Sequence, residues 1–246
     1  MPTRPGSRLT PELTGYLLVV AAAALWGSLS VVAKLLLTSG ISPITLVSVR
    51  TSLAFLLLAS VLGILSPDRL RIGTRDLPYL AIFGIFGLAL SNVSFYFALS
   101  RIRVATTLLI LYTSPLLVLV ASAILWGDPI RRRDLTGALL ALLGCALVIR
   151  IYDPAALRLN ALGVAAAFLG ACAFAFYNIW GKLGTRRFSP WTIVVYTLGF
   201  SAAFWLLISP PWRFFMEGHP AWIWAGLGTI VVGGTILPFT LYLGGL

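Results

Sequence analysis

The sequence predicts an all-α, polytopic helical membrane protein: an inverted repeat of five-helix units, with eight of an expected ten transmembrane helices present. Three observations carry this expectation. Hydrophobic residues make up 59% of the 246-residue chain and charged residues only 10%, too little charge to cover the surface of a soluble domain. The apolar residues fall into runs long enough to span a bilayer. Two stretches of the chain also repeat each other at a nearly constant offset.

Lipid solvates apolar surface that water would not, and the mean hydropathy of +0.98 fits that solvent. The net charge of +11 does not indicate nucleic acid. A nucleic-acid binder gathers its basic residues on one face, whereas here they lie mostly between apolar runs. Cys145 and Cys172 both fall inside apolar stretches, which argues against a disulfide framework. The single histidine, His219, has no neighbouring cysteine or histidine with which to hold zinc. No metal and no cofactor is expected.

A helix needs about 20 apolar residues to cross the hydrocarbon core. By that measure the spans are Leu13–Thr38, Pro43–Leu65, Pro78–Ala98, Val104–Trp126, Leu135–Ile151, Leu162–Lys182, Trp191–Ser209 and Ala221–Leu243. The first follows Arg4 and Arg8 and resembles a signal peptide at its start, but its apolar run is too long for one. Turn formers and charges fill the short connections, such as Ser66-Pro67-Asp68 and Gly127-Asp128-Pro129. With the N-terminus inside, one face holds Arg4, Arg8, Arg69, Arg71, Arg75, Arg131, Arg132, Arg133, Lys182, Arg186 and Arg187. The other holds Lys34, Arg101, Arg103, Arg150, Arg158 and Arg213. This imbalance predicts a cytoplasmic N-terminus.

Gly15 and Lys34 are 19 residues apart, and so are Gly163 and Lys182. Each pair precedes a Ser-Pro-x-Thr turn, Ser42-Pro43-Ile44-Thr45 and Ser189-Pro190-Trp191-Thr192. The offset is 148 for the first set and 147 for the second, and at 147 Gly87 maps to Gly234 and Leu99 to Leu246. The repeats therefore begin at spans one and six, residues 13–151 forming a first unit of helices one to five and 161–246 a second, incomplete unit of helices six to eight. Five crossings is an odd number, so the second unit would lie upside down relative to the first, the plan of secondary transporters. A complete second copy would bring the length to about 298 residues, so two further spans are expected.

The chain resembles the drug/metabolite transporter superfamily, and within it the EamA-type transporter family. The residues that carry the resemblance are Ala24-Leu25-Trp26-Gly27, Ser42-Pro43 with Arg50 seven residues on, Tyr112-Thr113-Ser114-Pro115-Leu116, and Leu125-Trp126-Gly127-Asp128 leading to Gly137 and Gly144. Members of that family commonly carry Glu where this chain has Asp128. The resemblance implies a carrier of the bacterial inner membrane, often an exporter of amino acids or related metabolites, working by alternating access. Its partners would be a small-molecule substrate and the lipid bilayer, with no nucleic acid; a homo-oligomer is left open.

An arginine at a helix centre costs about 2.5–3.5 kcal/mol on insertion scales, so Arg50 needs a reason to be where it is. It lies about 10 Å along its helix from Pro43, and its repeat counterpart is Thr197. Either it faces a cavity and attracts an anionic group, or it ties helix ends together through backbone carbonyls. Lys34 and Lys182 are repeat mates, read either as alternate gates or as side chains reaching for headgroups. Trp26, Asn92, Tyr96, Tyr112, Tyr177 and Asn178 lie at membrane depth and could line a path for an amphipathic solute, or simply pack helices together. Pro115 and Pro238 break spans four and eight, freeing carbonyls near Leu111 and Gly234.

The seven acidic residues, Glu12, Asp68, Asp76, Asp128, Asp134, Asp153 and Glu217, all lie in loops or at span ends. Proton coupling through a buried acid is therefore disfavoured. The spans offer no carboxylate pair and no G-x-S-x-G, so no catalytic residues are assigned and an enzyme is not expected. A lipid or lipid-linked-sugar flippase and an inactive truncated subunit are the alternatives to a metabolite carrier. The inverted plan predicts that cysteines beside the two Ser-Pro turns (Ser39→Cys and Arg187→Cys) react with impermeant thiol reagents from opposite sides. Labelling of both from one side would rule it out.

Overall fold

A computed structural model of the chain describes residues 11–149 and 160–245. Arg4, Arg8, Arg150, Asp153, Arg158 and the end of the fifth expected span at Ile151 lie outside them. The described residues are helical, with no strand among them. The long segments are α1 (Pro11–Thr38), α2 (Pro43–Leu65), α3 (Thr74–Arg101), α4 (Val104–Trp126), α5 (Arg132–Ile149), α6 (Ala161–Gly184), α7 (Pro190–Ile208) and α8 (Ala221–Gly245). All but α5 are long and apolar enough to cross a membrane. Helix α5 carries Arg132, Arg133 and Asp134 in its first turn, and the apolar stretch expected from Leu135 starts immediately behind them.

The surface is that of a protein solvated by lipid. Ile64, Ile124 and Leu207 are 80%, 77% and 86% exposed; α2 and α7, which carry the first and last, bury their other faces in a core running from Ala33 to Leu243.

The repeated Ser-Pro-x-Thr motif folds the same way twice. Ser42 and Ser189 take extended backbone at φ −67°, and each Oγ accepts from the backbone N–H three residues on, Thr45 at 3.0 Å and Thr192 at 3.1 Å. Proline follows at the first helical position, where its missing N–H costs nothing. The two turns thus start α2 and α7 with one geometry.

Three helix pairs run antiparallel. Ser48, early in α2, donates from Oγ to Ser209 O just past the end of α7, at 2.5 Å. At the other end, Thr192 and Tyr196 of α7 donate to Arg69 O and Leu70 O beyond α2. Gly15 at the start of α1 meets Gly245 at the end of α8, where a Cβ on Gly245 would come within 2.7 Å of Gly15 O. Likewise Gly163 at the start of α6 meets Ile102 just past α3, and Tyr79 near the start of α3 donates its hydroxyl to Trp180 O near the end of α6.

Two spans depart from regular α-helix. The reading that Pro238 breaks span eight is refined by a π-helical stretch, Val232–Ile236, immediately ahead of it; there Thr235 Oγ1 donates to Ile230 O at 2.9 Å. A second π-helical stretch, Phe83–Ala89 in α3, has no proline to announce it and was not expected. The two contain Gly234 and Gly87, repeat mates at the offset of 147. Span four also breaks where Pro115 predicts, α-helix stopping at Leu111 and resuming at Ser114.

The π stretch of α3 presses against α7. A Cβ on Gly84 would lie 2.7 Å from Thr197 O and 2.9 Å from Phe200 Cβ, whereas one on Gly228 would meet nothing within 4 Å. Gly84→Ala should therefore cost about 1–3 kcal/mol through overpacking, read as a lower thermal midpoint in detergent, while Gly228→Ala should not lower it. Equal midpoints for the two variants would contradict this packing.

Candidate functional site

A cavity of about 280 Å³ opens between the helices, lined from α1 by Trp26 and Ser30 and from α2 by Arg50. Helix α3 adds Ser91, Asn92, Phe95 and Tyr96, and α4 adds Leu111, Tyr112, Ser114 and Pro115. Phe174 and Asn178 of α6 and Gly234, Phe239 and Tyr242 of α8 close the far wall. Such a space, mostly apolar with a few convergent polar groups, is what small-molecule sites look like.

Among the described residues, Arg50 is its one charged lining residue. The side chain is 2% exposed, and one Nη donates to the Tyr96 hydroxyl at 2.9 Å. The guanidinium also stands 5.0 Å from the centre of the Tyr96 ring, within cation–π range. Its Nε and second Nη have no partner among the described residues. The reading in which Arg50 ties helix ends through carbonyls finds no such bond there. A phenol neither neutralises a guanidinium nor satisfies its fork of donors, and unmet buried donors of a charged group are costly.

The opposite wall is aromatic. The Trp26 ring lies 5.8 Å from Phe174, 5.0 Å from Phe239 and 5.4 Å from Tyr242. The Tyr242 hydroxyl donates to Asn178 Oδ1, while Asn92 Nδ2 is held by Leu88 O of its own helix at 2.8 Å.

The structure brings Trp26, Arg50, Asn92, Tyr96, Tyr112, Asn178 and Pro115 to one space. Tyr177 is not among its lining residues: it is 1% exposed and packs 4.7 Å from Phe83, because one residue along a helix turns about 100° away from Asn178. Pro238 is buried outside the cavity, although Gly234, four residues before it, lines the wall. The two lysines part company. Lys34 Nζ donates to Leu99 O at 2.5 Å and Ile102 O at 3.3 Å, capping the end of α3, while Lys182 is exposed.

Sequence reasoning missed Ser30, Phe95, Phe174, Phe239 and Tyr242. The signal that could have found them was the repeat offset itself. Trp26 and Phe174, and Ser30 and Asn178, are 148 apart; Asn92 and Phe239, and Phe95 and Tyr242, are 147 apart. Residues one offset apart in the sequence thus face one cavity. Arg50 breaks the pattern: its mate Thr197 is buried outside the cavity, with its hydroxyl on Ile193 O at 2.8 Å.

Residues 13–150, more than half of the chain, match the model of the EamA-like transporter family. The chain belongs to that family. Among relatives, an uncharacterized transporter of Archaeoglobus fulgidus is 29% identical over 153 residues, 62% of this chain and 52% of its own length. This chain therefore spans about half of that relative. The uncharacterized inner membrane transporter YicL of Salmonella typhimurium is 27% identical over 94% of this chain and 78% of its own. A solved crystal structure superposes with a TM-score of 0.70 at 21% identity, over 97% of this chain and 79% of that one; it shares the EamA-like fold of this chain.

Proposed function

We propose that this transporter is a secondary carrier for small amphipathic metabolites bearing a carboxylate, moved through the central cavity by alternating access. The observation that carries the reading is Arg50, a buried cation that lines a space of solute size and has two donors unmet by any described residue. A guanidinium recognises a carboxylate with two parallel hydrogen bonds. Trp26, Phe174 and Phe239 would receive the apolar part of the solute.

Alternating access is supported by the antiparallel pairing of α1 with α8, α2 with α7 and α3 with α6. Two head-to-foot units, residues 13–151 and 161–246, would produce that pairing, with cargo held where they meet. The matched π-helical stretches at Gly87 and Gly234 mark places where each unit can change its helical winding, as such stretches often do at functional sites. Outward transport, and an inner membrane with the N-terminus in the cytoplasm, are part of the same proposal. They rest on the distribution of Lys and Arg and on the family to which the chain belongs.

Replacing Arg50 with Ala should reduce carboxylate flux in proteoliposomes by on the order of a hundredfold or more, with expression and helix content unchanged. Undiminished flux would remove Arg50 from the path and this reading with it.

A further inference from the structure

The cavity's charge is unbalanced in one direction only. Arg50 supplies a single positive charge, and among the described residues no Asp, Glu, His or Lys lines the space. The described acidic residues Asp68, Asp128, Asp134 and Glu217 are exposed, and half-buried Asp76 lies in the first turn of α3, outside the cavity lining. Tyr96, the partner of Arg50, offers a neutral oxygen. On the facing wall, Asn178 is already joined to Tyr242.

Building on the carrier reading above, we infer that the cargo is a compact organic monoanion with a flat apolar tail and no ammonium group. It crosses with its charge uncompensated by protons. A monoanion on Arg50 makes the occupied site neutral. A zwitterion leaves the site at plus one, a cation raises it to plus two, and a dianion turns it to minus one. Burying an unbalanced charge at low dielectric is costly, so the neutral complex is the one that can be closed off from water. The same arithmetic fixes the energetics of the cycle. Arginine does not release its proton in proteins, and no carboxylate or imidazole of the described residues lines the cavity to carry one, so each crossing moves one net negative charge. A cell interior that is negative drives such an anion outward.

The test uses the purified protein in proteoliposomes and four probes of similar skeleton: 3-phenylpropionate, phenylalanine, 3-phenylpropylamine and phenylsuccinate. They present a monoanion, a zwitterion, a cation and a dianion. Thermal stabilisation and flux above that of protein-free vesicles should favour 3-phenylpropionate on the order of tenfold or more. Its flux should follow an imposed potassium-diffusion potential and ignore a pH gradient at clamped potential. Arg50→Gln should erase the preference, and Arg50→Lys, which keeps the charge without the fork, should retain it with weaker binding. Phenylalanine moving as well as 3-phenylpropionate would overturn the monoanion assignment alone. Flux driven by the pH gradient, and indifferent to potential, would overturn the uncompensated charge. Neither stabilisation nor flux with any probe would overturn this inference and the carrier reading together.

Discussion

A guanidinium held at membrane depth without a counter-charge is the constraint around which the central cavity is organised. Arg50 cannot shed its proton, so the protein must solvate it with something. Tyr96 gives one hydrogen bond and stands within cation–π range, while Nε and the second Nη are buried without a partner among the described residues. A helix bundle free to optimise stability would fill such a position with an apolar residue, as the equivalent position nearly does with Thr197. The cost falls on a residue that lines the cavity.

The scaffold around that group is symmetric where Arg50 is not. The Ser-Pro turns, the glycines at the starts of α1 and α6, and the π-helical stretches occur in matched pairs. So do the cavity-lining positions Trp26 and Phe174, and Phe95 and Tyr242. Small residues allow the pairs to approach closely: Gly15 against Gly245, Gly84 against Thr197. In lipid, where apolar surface gains nothing by leaving solvent, such contacts and interhelical hydrogen bonds hold helices together. Ser48 to Ser209 and Tyr79 to Trp180 are examples, each joining elements distant in sequence.

Much of the bundle was legible in the sequence because its physics is local. Apolar run length marks spans, and proline after serine marks helix starts, so α2 and α7 begin where the residues say. The break at Pro115 is equally local. What escaped was geometry that depends on neighbours. The π stretch in α3 has no proline, only glycines pressed against α7 and Tyr177, and close approach is invisible without the partner helix. Tyr177 and Asn178 looked equivalent along the chain, yet one turn angle separates the core from the cavity. Phe174, Phe239 and Tyr242 carry no local signal of their own; only the offset of 147–148 links them to Trp26, Asn92 and Phe95. Residue type located Arg50; only the structure shows that two of its donors are unmet.

The most direct measurement is a crystal structure of the protein with 3-(4-bromophenyl)propionate, using the anomalous signal of bromine to place the tail. The account predicts the carboxylate within hydrogen-bond distance of the Arg50 guanidinium and the bromine peak among Trp26, Phe174 and Phe239. A guanidinium sealed by protein carbonyls, with the ligand absent or lying elsewhere, would contradict it.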